Sequence, residues 1–174
     1  NIVATDFQLR KLSYKVGEVP LGVIPKKINP IYEKVKSTIE IVKQNFTLTD
    51  YDYWSQYNIT FDILQEYQVF SCKQVFLYKG NNRYISEYSK KCPIYAYKFG
   101  DVYKIYKPYA DKKSKWLFNG KTTNVEGYDQ LPEYGGVLIL TKSLKDCMCY
   151  KMLNIPAISL QGEANKLDGE FVGK

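Results

Sequence analysis

Gly135-Gly-Val-Leu-Ile-Leu-Thr-Lys-Ser-Leu-Lys-Asp-Cys-Met-Cys-Tyr-Lys-Met-Leu-Asn-Ile-Pro-Ala-Ile-Ser-Leu160 reads as strand, turn, helix and second strand. Val137 to Leu140 is a continuous apolar run, the pattern of a strand covered on both faces. Thr141-Lys142-Ser143 supplies a polar turn and an N-cap. From Leu144 the apolar spacing becomes helical, through Met148, Met152 and Leu153, and Asn154 stops it before Ile155-Pro156. Ala157 to Leu160 returns as a strand. Two apolar strands joined by one short helix predict a βαβ unit with parallel strands. In such sheets chemistry gathers at the carboxyl ends of the strands. Those ends carry Thr141, Lys142, Ser143 and Asp146 on one side, and Gln161, Gly162 and Glu163 on the other.

Upstream the period changes. Thr38 to Phe46 alternates as a strand. Thr49 or Asp50 is placed to cap a short helix over Tyr51–Tyr57, and Thr60 to cap a second, with Ile63, Leu64 and Tyr67 facing inward. The outward residues of that second helix include Asp62, Gln65 and Glu66, acids and an amide that suit no DNA-reading helix. Val69–Lys79 and Arg83–Tyr88 flank a turn at Gly80-Asn81. Ile94–Phe99 and Val102–Pro108 flank another at Gly100-Asp101, and Lys115–Phe118 follows. The expected fold is therefore α+β: an antiparallel sheet of about five strands with short helices, then the βαβ unit. Residues 1–37, punctuated by Pro20, Pro25 and Pro30, read as an extended arm or linker.

The 25 basic residues against 18 acidic ones give a net charge of +7, which favours a polyanionic partner. All but Arg10 and Arg83 of those cations are lysine, a bias that matches AT-rich coding. The basic residues interleave with aromatics most densely over Tyr103 to Trp116. Alternation puts Tyr103, Ile105 and Lys107 on one strand face and Lys104 and Tyr106 on the other. Lysines neutralise phosphates and aromatic rings stack unpaired bases, so this segment suits a template groove, with the ordinary solvated strand as its competitor. Cys72, Cys92, Cys147 and Cys149 form no Cys-x-x-Cys pair and the chain has no histidine, which leaves no conventional zinc set. The cysteines read as reduced thiols in a cytoplasm. No apolar run approaches the roughly 20 residues of a transmembrane helix. The start, Asn1-Ile-Val-Ala-Thr-Asp, has neither Met nor a signal pattern and reads as an internal cut in a longer protein.

The strand–turn–helix at Thr141-Lys-Ser-Leu-Lys-Asp146 resembles the opening of a Toprim domain, in the form found in phage-type DNA primases. Asp50-Tyr-Asp-Tyr-Trp54, Ile59-Thr60, Leu64-x-x-Tyr67-x-Val69, the Ile94–Phe99 and Tyr103–Pro108 hairpin, Lys115-Trp116 and Gln130-Leu-Pro132 are similar to segments of those proteins, in the same order. Order and spacing across residues 46–163 carry the resemblance, more than any single motif. It implies an amino-terminal primase-like subdomain over 38–128 and a partial Toprim-like subdomain over 129–174. It further implies a fragment of an enzyme, a nucleotidyltransferase, that makes short RNA primers on single-stranded DNA, with magnesium as cofactor and nucleoside triphosphates as substrates.

A replicative helicase is a further implied partner and the host cytoplasm the implied location, with no membrane involved. Carried onto this chain, the resemblance makes Lys142, Asp146 and Glu163 the catalytic candidates, with Glu163 the candidate metal ligand. It makes Lys104, Lys107, Lys113, Lys115, Tyr106 and Ser143 the nucleic-acid- or nucleotide-binding candidates. The sequence departs from the family at Lys142, which stands where the family carries its catalytic Glu. That departure supports a competing expectation, a non-catalytic nucleic-acid-binding or replisome-interaction protein built on the same scaffold.

Overall fold

The computed structural model describes residues 37–121, 124–162 and 165. Glu163, the Asp168-Gly-Glu170 segment and all of the expected arm before Ser37 lie outside them. Among the described residues no helix is long and apolar enough to cross a membrane.

The architecture is mixed α+β, mostly antiparallel sheet with short helices. The first sheet holds β1 (Ser37–Gln44), β2 (Val69–Lys79), β3 (Asn82–Glu87), β4 (Tyr95–Phe99), β5 (Val102–Tyr106) and β6 (Trp116–Phe118). Its order is β1-β2-β4-β5-β6, with β3 also paired to β2, and every pairing is antiparallel. Two helices, α1 (Leu48–Ser55) and α2 (Phe61–Glu66), fill the connection from β1 to β2.

The second sheet has three strands in the order β7-β9-β8, from β7 (Val125–Glu126), β8 (Ile139–Thr141) and β9 (Ala157–Leu160). Strand β8 pairs parallel to β9 through Ile139↔Ala157, Leu140↔Ile158 and Thr141↔Ser159. The connecting helix α3 (Leu144–Met152) is capped by Ser143, as the polar turn predicts. It ends on Asn154, whose φ of 57° is the left-handed region that Asn tolerates. The amides of Asn154 and Ile155 bond back to the carbonyls of Lys151 and Tyr150 at 2.9 and 3.0 Å, the double closure that ends many helices.

Three expectations need correction. The apolar run at Val137–Leu140 is not covered on both faces: Val137 is 64% and Leu140 55% exposed, and the strand begins only at Ile139. The reason is its place. In a β7-β9-β8 sheet only β9 has neighbours on both sides, and its Ala157, Ile158 and Ser159 are the buried residues. Second, Met152 and Leu153 point outward, so the inner face of α3 is Leu144, Cys147 and Met148. Third, Thr47, rather than Thr49 or Asp50, caps α1. Asp50 lies within the first turn and returns its carboxylate to the Thr47 amide at 2.7 Å, completing a capping box.

The larger core lies where the helices meet one face of the first sheet. It joins Tyr53 and Trp54 of α1, Leu64 of α2, Tyr95 and Tyr97 of β4, Tyr106 of β5, Leu144, Cys147 and Met148 of α3, and Ala157 of β9. Full burial of such side chains stabilises by roughly 1.5–3 kcal/mol each. The helix of the βαβ unit therefore shares a core with the antiparallel sheet. The other sheet face carries a second cluster of Ile39, Cys72, Val75, Ile94, Ala96 and Ile105.

Candidate nucleic-acid interface

The turn after β8 is organised by hydrogen bonds around Asp146. The Ser143 hydroxyl accepts from the Asp146 amide at 3.3 Å, and the Thr141 hydroxyl donates to Asp146 Oδ2 at 3.1 Å. A carboxylate in a first helical turn faces the positive end of the helix dipole, so Asp146 is held in place twice. Lys142 is exposed at the strand end. Beside it opens a shallow cavity of about 380 Å³ lined by Leu140, Thr141, Lys142, Leu160, Gly162 and Asn165. On the far side of the turn, Thr141 and Asp146 border a second one of about 350 Å³ with Cys149, Tyr150 and Leu153.

This end of the sheet brings Lys142, Ser143 and Asp146 together. It supplies one carboxylate among the described residues lining those cavities, and that carboxylate is already taken by Thr141. Magnesium prefers near-octahedral oxygen ligands, usually with one or two carboxylates, and a neighbouring ammonium opposes it. The described residues here do not fit a magnesium site, nor does any group of three or more Cys, Asp or Glu among them. What the turn offers is an anion seat: an exposed lysine beside the amide end of a nine-residue helix.

The four lysines expected to line one groove do not converge. Lys104 is buried, 9% exposed, and ion-paired with Glu126, which is fully buried on β7. Its ammonium also lies 4.8 Å from the Trp116 ring centroid. Lys104 is thus an internal tie between the two sheets, unavailable to a solvent-borne strand. Burial pushes the Glu126 carboxyl above the usual carboxylate range, opposed by Lys104, Ser159 and the Leu144 amide. Lys107 projects to the opposite sheet face, as alternation requires, and donates to Ser86 Oγ at 3.3 Å. Lys113 is exposed on the β5–β6 loop. Lys115 lies over the Tyr106 ring, 5.7 Å from its centroid.

Tyr106 is itself core, not a platform for bases. It is buried, stacked on Trp116 at a centroid distance of 4.3 Å, and its hydroxyl meets that of Tyr53 at 2.7 Å. Desolvation raises both phenols above their ordinary range.

Two features escape strand-by-strand reading. Glu126 sits on a two-residue strand too short to show a period. Lys145, on α3, reaches Tyr57 just beyond α1, with its ammonium 3.7 Å from the ring centroid. The signal for Lys145 was its position in the first turn of a helix whose Leu144 and Met148 face the core. Comparison with family models, with curated proteins and with solved structures yields no match to this chain.

Proposed function

We propose that this chain carries the junction between primase and Toprim regions of a phage-type DNA primase, which joins ribonucleotides from nucleoside triphosphates into short primers on single-stranded DNA. The observation that carries the reading is the β8–α3–β9 unit. Its parallel strands, Ser143-capped helix and Asp146 turn are fused through one core to an antiparallel sheet.

In this reading Lys142, Ser143 and the first amides of α3 hold a phosphate group of the incoming nucleotide or the growing primer. Asp146 positions that turn through Thr141 and does not itself act on the substrate. Magnesium, if the family's chemistry operates, is held by acids outside the described residues. A replicative helicase and the host cytoplasm belong to the same proposal. Template-dependent incorporation of ribonucleotides by the full natural protein tests it.

One observation favours a second reading. Lys142 occupies the strand end where the family places its catalytic Glu, which suits a scaffold that binds nucleic acid in replication without making primers. Single-stranded DNA binding without primer synthesis, under conditions that support other primases, would select this second reading.

A further inference from the structure

Among the described residues, two lysines from distant parts of the chain lie over neighbouring rings, Lys145 over half-buried Tyr57 and Lys115 over buried Tyr106, and neither is ion-paired with a carboxylate there. Lys145 lies 3.7 Å from the centroid of the Tyr57 ring, and Lys115 lies 5.7 Å from that of Tyr106. The ion pairs of the described residues are Lys104–Glu126 and Lys151–Glu66, so Lys115 and Lys145 belong to neither. Asp146, the acid next to Lys145, is turned to Thr141. Asp111, in the loop before Lys115, meets that lysine through its backbone carbonyl, which accepts the Lys115 amide at 2.9 Å.

The rings around these cations form a connected set. Tyr53 contacts Tyr57 edge-on at 5.6 Å and Tyr109 edge-on at 5.8 Å. Tyr109 is 58% exposed on the β5–β6 loop. Partial burial alone would raise the Tyr57 phenol, yet Lys145, Tyr53 and Lys115 together hold it below its ordinary range. Both ammonium groups thus act on the same phenol and make this a place of positive potential.

We infer that Lys115, Lys145 and Tyr57, with Tyr109 beside them, form a site for a phosphate and its neighbouring unpaired base on a nucleic-acid single strand. The inference deepens the proposed function and rests on it for the class of ligand. The chemistry divides by residue. The lysines replace the counterions of a phosphate, and Tyr109 offers a ring face to a base that is not paired. Duplex DNA keeps its bases inside, so it could use the lysines but not the tyrosine. Because Lys115 follows β5 and Lys145 opens α3, a strand bound here would touch both the antiparallel sheet and the βαβ unit.

The test is fluorescence anisotropy of the 174-residue chain with a labelled oligothymidylate, over a series of salt concentrations. The expected result is a loss of about 0.7 in the log–log salt slope for each lysine removed, in Lys115→Gln, Lys145→Gln and the double variant. Tyr109→Ala, an exposed loop change, is expected to weaken binding by about fivefold or more. It should do so without changing the slope. Unaltered circular dichroism and melting confirm that the lysine variants fold; Lys145→Arg, which keeps the charge, should keep the affinity. Unchanged affinity and slope in the double variant would overturn the site while leaving the proposed function standing. Equal affinity for a duplex of the same length, or competition by inorganic triphosphate as strong as by oligothymidylate, would overturn the single-strand assignment. Binding lost in the variants, in a protein that makes no primers, would uphold the site and refute the primase reading.

Discussion

Replacing Lys104 by Met removes one half of the buried ion pair that ties β5 to β7, while keeping most of the side chain's length. Glu126 is fully buried and Lys104 only 9% exposed, so little water is available to take over from the lost partner. Unit charges about 4 Å apart attract by about 4 kcal/mol at an effective dielectric constant of about 20. Breaking a buried pair from one side typically costs about 3–5 kcal/mol. Lys104→Met is therefore expected to lose about 3–5 kcal/mol near neutral pH, measured by urea denaturation.

The loss should depend on pH, and the sign follows from Glu126. Burial already raises its carboxyl above the usual range against the pull of Lys104, and removal of Lys104 raises it further. A carboxyl raised in the folded state contributes stability while protonated, and that contribution is lost as pH rises through the folded value. The deficit of Lys104→Met should therefore shrink as pH falls toward the ordinary glutamate range. The double variant Lys104→Met/Glu126→Leu should recover most of the loss, since an apolar pair replaces an ionic one at little cost. A single-variant loss below about 1 kcal/mol, unchanged between acid and neutral pH, would refute the claim that this pair is buried and coupled.

Other outcomes follow from the packing. Gly127→Ala should destabilise by about 1–3 kcal/mol in thermal or urea melts. Its φ is 79°, and an added Cβ would lie 2.8 Å from the Ala157 carbonyl, where β7 meets β9. Asp50→Ala should cost about 3 kcal/mol, because Thr47, Ser71 and Tyr88 all lose the carboxylate to which they donate. Ser143→Ala should cost about 1 kcal/mol through the lost cap of α3. Thiol titration with Ellman's reagent at pH 8 should find Cys72 silent until the protein unfolds. Burial pushes that thiol up to about 12, leaving almost no thiolate.

The local signals in the chain proved to be readable where one element decides them. The Gly80-Asn81 and Gly100-Asp101 turns, the Thr60 and Ser143 caps, and the Asn154 stop are all local chemistry, and each has its counterpart in the structure. The parallel pairing of β8 with β9 was legible because a strand–helix–strand of this length has few other ways to close. What failed was whatever depended on the third dimension. Val137 and Leu140 look like core residues in sequence, but Leu140 lies on an edge strand and Val137 ahead of it, and both are exposed. Lys104 looks like its neighbouring surface lysines until Glu126, far along the chain, is brought beneath it. Tyr57 and Lys145 share no period or motif, and only the packing of α3 against the connection between α1 and α2 places them together.

We propose that this chain belongs to an enzyme that makes primers on single-stranded DNA. This is tested most directly by incubating the full natural protein with labelled ribonucleoside triphosphates, magnesium and single-stranded circular DNA, and resolving the products on a denaturing gel. The account predicts short, alkali-labile RNA products that require the single-stranded template and are lost when duplex is substituted. A protein that binds the same template but yields no such products, across magnesium and manganese and over a range of template sequences, would contradict it.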